Sequence, residues 1–485
     1  VTEPAGAGSA AYGLPYAALR RMVDVAPHEV RATLLACAYF FCSLSSWFVL
    51  RPIRDEMAVA AGVRNLPWMF AGTLVVTLVA NALYSVLVAR LPVRRFLIVT
   101  YQALVVCLVL FWLAWRGPGD DARAVWTGRF FFAWTTMYAV FVTSLFWSVM
   151  ADAFLSGQAK RLFGFIGVGG TLGSITGSAL TAALTSVVGP TNLLLVSVLL
   201  LEAAALLAIA FYAAVPREAS PAASPDAAPV DGDAAPLPAR GARAAGAQQI
   251  GGSVWAGATH VVRNRYLLGI AAFILLYNVG GTVLYFAQTE VVGAAYSGRE
   301  ARTEILARVE FLTQLLTALT QAFLTGRIIR WFGLAVTLAL MPALSIVGFA
   351  AIGATAWGVV PALGAVLAFS VLRRASNFAL TNPAMEALFT VVSREDKYKA
   401  KVFIETFVYR AADQVAAWGY AGLALLGLGI VGISWITVPI SVVFLALGLW
   451  LGRRQRALAA REEPAAVAAS SDTRADRSAV ARAIG

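Results

Sequence analysis

The 485-residue chain is 60% hydrophobic and only 13% charged, with a mean hydropathy of +0.75, a balance that excludes an ordinary soluble globular domain. Its formal charge of +12 sits in short loops between apolar runs, which is a topological pattern and not the basic face of a nucleic-acid binder. Apolar runs such as 193–207 and 421–431 do not alternate as barrel strands do, so the expected class is an all-α membrane protein.

Residues 1–30 read as a cytoplasmic N-terminal segment. They lack the short apolar core and small-residue cleavage site of a signal peptide, so the first span is expected to direct insertion. A first six-helix bundle is predicted over 31–215, with spans at 31–50, 66–89, 96–115, 125–151, 161–188 and 191–215. Residues 216–263 read as a cytoplasmic linker, mostly disordered, because 216–252 is rich in Ala, Pro, Gly and Asp and poor in large apolar side chains. A second bundle is predicted over 264–452, with spans at 264–289, 304–326, 332–354, 357–380, 402–428 and 430–452, giving about twelve transmembrane helices. The tail 453–485 has the linker's composition and is expected to be disordered.

Lys and Arg cluster before span one (Arg20, Arg21, Arg31), after span two (Arg90, Arg94, Arg95) and at Lys160 and Arg161. They cluster again at Arg263 and Arg265, Arg327 and Arg330, Lys397 to Lys401, and Arg453 to Arg456. Basic loops stay cytoplasmic, so both termini are expected on that face of a bacterial inner membrane. The three cysteines, Cys37, Cys42 and Cys107, lie inside spans without paired or metal-ligand spacing and read as buried thiols. No Walker loop, His-Glu-x-x-His pair or nucleophile elbow occurs, so neither an enzyme nor a resident cofactor or metal is expected.

Ionisable residues inside spans are costly and therefore functional candidates. The densest group is Arg51-Pro-Ile-Arg-Asp-Glu56. Pro52 is expected to interrupt regular helix bonding and bend the span there, and two readings stand: a bent, substrate-facing span, or an extracellular turn with Arg54, Asp55 and Glu56 solvated. Asp152 ends span four. Gly169, Gly173 and Gly177, with Ser174 and Ser178, make a small-residue stripe whose default role is close helix packing. In the second half Arg373 and Arg374 either snorkel to the surface or offer guanidinium forks to an anion. Glu405, Arg410 and Asp413 lie in span eleven, where Arg410 and Asp413 are spaced to form either a structural ion pair or part of a substrate or proton site. Glu202 and Glu310 read as proton carriers or interhelical hydrogen-bond partners, and His28 and His260 as surface residues.

The halves echo one another. Met150-Ala-Asp-Ala-Phe154 before Ala159-Lys-Arg resembles Met385-Glu-Ala-Leu-Phe389 before Ala400-Lys-Val-Phe403, and Ala89–Arg95 corresponds to Gly326–Gly333. This six-plus-six pattern resembles the major facilitator superfamily. Further segments resemble the nucleotide transporter family, the ATP/ADP translocases that exchange NTP for NDP, and its bacterial relatives. They are Leu50-Arg-Pro-Ile-Arg-Asp55, Leu145-Phe-Trp147 with Ala159-Lys-Arg-Leu-Phe-Gly-Phe165, Ile329-Arg-Trp-Phe-Gly333, and Asn377–Glu386 with Tyr398–Glu405.

The resemblance implies an antiporter-type fold of twelve helices that moves an anionic metabolite without hydrolysing it. It places Arg54 at the family's span-one Lys, with Arg51 and Arg374 at basic positions. The chain departs from the pattern where the family's span-four acid falls at Thr135 or a neighbour, its span-seven acid near Ala287 with Glu290 shifted, and its span-eleven Lys near Asp413, with Arg410 one turn away.

The expected function is secondary active transport by alternating access of a small organic anion, a nucleotide or other phosphorylated metabolite being one class, by exchange or ion coupling. Arg51, Arg54, Arg373, Arg374 and Arg410 are the expected substrate-binding residues. Asp55, Asp152, Lys160, Arg161, Glu386, Glu405 and Asp413 are the expected coupling or gating residues. Partners are the small molecule and the lipid bilayer, with no nucleic acid and a monomeric chain. The alternatives are a proton-coupled exporter of a neutral or cationic compound, with Asp152, Glu405 or Asp413 carrying the proton, and a non-transporting membrane scaffold or sensor.

Overall fold

The computed structural model describes residues 25–90, 93–116, 121–154, 156–215, 259, 261–358, 360–392, 400–401 and 403–484. Side chains at 81–90, 93–94, 121–122, 156, 160, 405–406 and 461–484 are outside the description. Most of the expected N-terminal segment and of the linker falls outside these residues, as does His260.

Helices dominate, and no strand occurs among the described residues. They are α1 (Val30–Ala61), α2 (Leu66–Arg90), α3 (Val93–Arg116), α4 (Asp121–Ala153), α5 (Ser156–Ala214), α6 (Arg265–Ala295), α7 (Arg299–Phe323), α8 (Thr325–Ala354), α9 (Ala362–Ser376), α10 (Asn382–Leu388), α11 (Tyr409–Leu425) and α12 (Ile430–Ile484). The punctuation follows the sequence. Gly62, at φ 78°, separates α1 from α2. Gly189, at φ 79° and followed by Pro190, turns α5 between its two legs. Gly333, at φ 73°, breaks α8 after its first eight residues. A side chain is strained at such φ, and Gly is not.

Among the described residues, nine helical segments are long and apolar enough to cross a membrane. The segment containing α5 counts once although it holds the Gly189 turn. Absent from the nine are α7, which carries Arg299, Glu300, Arg302, Glu304, Arg308 and Glu310, and α11, which has only 17 residues.

Pro52 does not break α1, which continues to Ala61. Membrane helices tolerate proline where surrounding groups satisfy the freed carbonyl. The solvated-turn reading is thereby overturned, because Asp55 and Glu56 are buried on a continuous helix. The tail after Arg453, expected to be disordered, extends α12 as helix to Ile484. Its Ala, Arg and Glu residues are strong helix formers.

The chain forms two compact units. The first contains Val1–Asp55, Val75–Gln249 and Thr303–Phe311; the second contains Glu56–Leu74, Ile250–Arg302 and Leu312–Gly485.

In the first unit α1 lies against the opening turns of α5. A Cβ on Gly169, Gly173 or Gly177 would run into the carbonyl oxygens of Cys37, Phe41 and Ser45 respectively. Thr181 Oγ1 continues the series by donating to Val49 O at 3.3 Å, at the same offset of 132 residues. The constant offset means that the two helices run parallel in register over four turns. The glycine stripe is therefore a packing surface, as its default reading had it. Ser45 Oγ reinforces it with a 3.0 Å bond to Gly173 O.

The second unit is built on a core of Leu267, Ile270 and Phe273 from α6, Leu338 and Met341 from α8, Leu388 from α10, and Phe444 and Leu451 from α12.

Candidate functional site

The charged residues singled out above fall into clusters that are described unit by unit. In the first unit, α1 carries Arg51 and Arg54 one helical turn apart. Arg51 Nη1 donates to Glu310 Oε1 of α7 at 3.1 Å, and the Glu310 side chain is 2% exposed. Arg54 lies 3.6 Å from Asp55 Oδ1 and 4.2 Å above the Phe132 ring of α4, a cation–π position. Its Nε is buried without a hydrogen-bond partner. At the other end of α1, Glu29 accepts from the Ala26 backbone, from Gln158 Nε2 at 2.8 Å and from Arg161 Nη2 at 3.1 Å. Arg161 thus clamps the entry of α1 to the start of α5. Asp152 is exposed near the end of α4, and the Lys160 side chain lies outside the described residues.

Of the two glutamates read as proton carriers or hydrogen-bond partners, Glu202 accepts from Gln102 Nε2 at 3.0 Å and Glu310 holds Arg51. Thr135 is fully buried and returns its hydroxyl to Phe131 O at 2.9 Å.

The second unit holds the denser cluster. Arg373, on the last turn of α9, is 4% exposed and does not snorkel. Its Nη2 donates to Tyr277 O of α6 at 2.6 Å, and its guanidinium stands 5.2 Å from the Tyr277 ring centre. Room for the fork comes from Gly280 and Gly281, which bring bare backbone against it. Tyr277 also pairs with Tyr409 of α11, and Arg374, Arg410 and Asp413 lie within electrostatic reach of these two tyrosines.

No carboxylate among the described residues reaches the Arg373 guanidinium. A buried, uncompensated cation costs several kcal/mol, and arginine does not escape by deprotonating. Arg373 Nε is also without a partner, as are Ser370 Oγ and Asn377 Oδ1 nearby on the same helical stretch.

The backbone beside Arg373 is irregular for a legible reason. Residues Asn377–Thr381 form a π-helical turn, closed by the Asn382 N–H on Asn377 O. Pro383 has no N–H, and the π-helical turn passes into α-helix at this point, so the carbonyls of Phe378 and Ala379 lie where the ladder is interrupted. Gln321 Nε2 takes the first at 3.1 Å and Thr325 Oγ1 the second at 2.8 Å. A second π-helical turn, Ile404–Val408, leads into Tyr409. Such turns occur frequently at functional sites, and here two of them adjoin the charged cluster.

Of the other expected gating residues, Glu386 pairs with Lys401 at 2.7 Å on the surface, and the Glu405 side chain is outside the description. Sequence reasoning missed Tyr277, Tyr409, Ser370 and Asn377. The available signal was the Gly280-Gly281 pair inside an apolar span and the polar residues three before and four after Arg373. It also missed Arg299, which donates to the buried Glu56 at 3.1 Å, and the 3.1 Å bond from Tyr420 OH to Glu290.

No protein-family model matches the chain. Among curated proteins it is 27% identical over 216 residues to the ADP,ATP carrier protein 2 of Chlamydia trachomatis and 24% identical over 221 residues to that of Chlamydia pneumoniae. These matches cover 39% and 41% of this chain, and the chain spans 38% and 41% of those relatives. Among solved structures it is similar to the nucleoside transporter NupG, with TM-score 0.55 and 13% identity over 88% of this chain and 99% of that one. It is also similar to the peptide transporter PepTSo, with TM-score 0.57 and 12% identity over 88% and 98%. A bacterial homologue of ferroportin gives TM-score 0.56 and 12% identity over 89% and 99%. The fold is therefore the one these solved transporters share, and the sequence is weakly similar to the two ADP,ATP carrier proteins over about two fifths of its length.

Proposed function

We propose that this chain, with a secondary-transporter fold and weak homology to ADP,ATP carriers, moves a small organic anion across a membrane by alternating access. The observation that carries the reading is Arg373, a buried cation with no carboxylate counter-charge among the described residues, in a cluster with Arg374 and Arg410. A transported anion supplies the missing charge, and a guanidinium fork suits carboxylate and phosphate groups. Arg54 adds positive potential in the first unit, whereas Arg51 is held by Glu310.

Exchange or ion coupling drives the cycle, with Asp55 and Asp413 beside the arginine clusters as the coupling acids. Nucleotides are one candidate class, supported by the names of the chlamydial relatives. The substrate passes through unchanged, without enzymatic conversion or a resident cofactor. The chain acts as a monomer in a bacterial inner membrane, with both termini cytoplasmic and about twelve crossings, α7 and α11 among them.

The test is uptake by proteoliposomes of labelled nucleotides, phosphorylated sugars and small carboxylic acids. Saturable uptake of at least one anion, competed by anions and not by neutral analogues, is expected. Flux of a neutral or cationic compound driven only by an imposed pH gradient would replace this reading with proton-coupled export.

A further inference from the structure

We propose that Ser370, Arg373 and Asn377 form a subsite for an oxyanion group of the transported molecule, a carboxylate or phosphate, at the junction of α9 with its π-helical turn. The inference rests on the anion-transport reading and adds which side chains bind the charge.

The three residues follow one another at spacings of three and four, which places them on one face of the helical stretch. They are 1%, 4% and 7% exposed. Ser370 Oγ, Arg373 Nε and Asn377 Oδ1 all lack a hydrogen-bond partner. Buried polar atoms are nearly always paired, so three orphans on one face mark a place that something else fills.

The orphaned atoms also have matching chemistry. Arg373 donates from Nη2 to Tyr277 O and packs both Nη atoms against Gly280 and Gly281, while its Nε–H is a buried donor without a hydrogen-bond partner. Ser370 adds a hydroxyl donor one turn away, about 4.5 Å along the axis. Two donors and a permanent positive charge select an oxyanion over a cation or a neutral amide. Asn377 Oδ1, about 6 Å further along, accepts a hydrogen bond from a hydroxyl or amine carried on the same molecule.

A purely structural polar network would satisfy its own members. The π-helical turn does so at its other carbonyls, through Gln321 and Thr325. The contrast within one stretch of chain separates the satisfied scaffold from the unsatisfied face. Because the face is covered in this structure, the ligand enters when α9 and its π-helical turn shift.

The experiment measures thermal stability of the purified full-length protein in detergent with inorganic phosphate, citrate, glycerol 3-phosphate and ADP. A parallel arm adds phosphatidylglycerol, which separates a lipid headgroup from a soluble anion. At least one soluble oxyanion is expected to raise the melting temperature of the wild type. Ser370→Ala and Asn377→Leu are expected to melt, without ligand, at or above the wild-type temperature, since each removes an unsatisfied buried group. Both should need at least tenfold more anion for half the shift.

Variants that melt lower without ligand overturn the proposal, because the groups then hold the fold. An unchanged anion response in both variants overturns the subsite and leaves the transport reading intact. Absence of any soluble-anion response in the wild type, or a response to the lipid alone, overturns both.

Discussion

A Cβ built on Gly281 stands 3.1 Å from Arg373 Nη1, and one on Gly280 stands 3.2 Å from Nη2. These two glycines therefore set how closely the guanidinium lies against α6, and with it the direction of Nε. Gly281→Val is expected to displace the fork and raise KM for anion uptake at least tenfold. Gly298→Ala, with nothing within 4 Å of its Cβ, serves as the control and should leave KM unchanged; an unchanged KM in Gly281→Val would count against a binding role for Arg373. Arg51, Arg54 and Arg373 were legible in the sequence because an ionisable residue in an apolar span declares itself by its cost. Their partners were not. Glu310 lies 259 residues from Arg51, and no local pattern encodes that pairing. Ser370 and Asn377 were silent for another reason, since uncharged polar residues are common in spans and become informative only when their hydrogen bonds are known.

At the scale of the element, the α1–α5 contact and the proline-induced π-helical turn make separable predictions. Gly173→Leu drives a side chain into the Phe41 carbonyl, whereas Gly164 and Gly167 on the same helix have open space. The first substitution should destabilise the protein by about 3 kcal/mol or more, as overpacking against rigid backbone does. Gly167→Ala should be neutral or stabilise by up to about 1 kcal/mol through helix propensity. Denaturation of both variants in detergent checks the contrast, and equal losses would contradict the register given above.

The Thr325 hydroxyl matters because Pro383 leaves the Ala379 carbonyl without a helical donor. Thr325→Val should cost about 1–3 kcal/mol, and less in a Pro383→Ala background, where the restored N–H can take the carbonyl. A double-mutant cycle reads this coupling, and strict additivity would refute it. The glycine stripe was legible as packing from its spacing alone. The π-helical turn was not, because Pro383 announces a broken ladder without saying which side chains repair it. Pro52 behaves differently: it removes an N–H inside α1, and the helix continues to Ala61.

For the whole molecule, the apolar runs made the helical membrane class readable, since a spanning segment must be long, apolar and self-satisfied in its hydrogen bonds. Legibility faded where function loads a helix with charge. α7 is hard to tell from a soluble amphipathic helix by composition, and α11 is shortened by the π-helical turn before it. In the tail, low hydrophobicity argues against a core but not against a helix. We propose transport of an anion by arginines held within helices. Its most direct test is uptake of a labelled anion by proteoliposomes containing wild type or Arg54→Gln at matched protein abundance. Saturable uptake by the wild type and a loss of at least tenfold in the variant are the results predicted; full activity in Arg54→Gln would contradict the account.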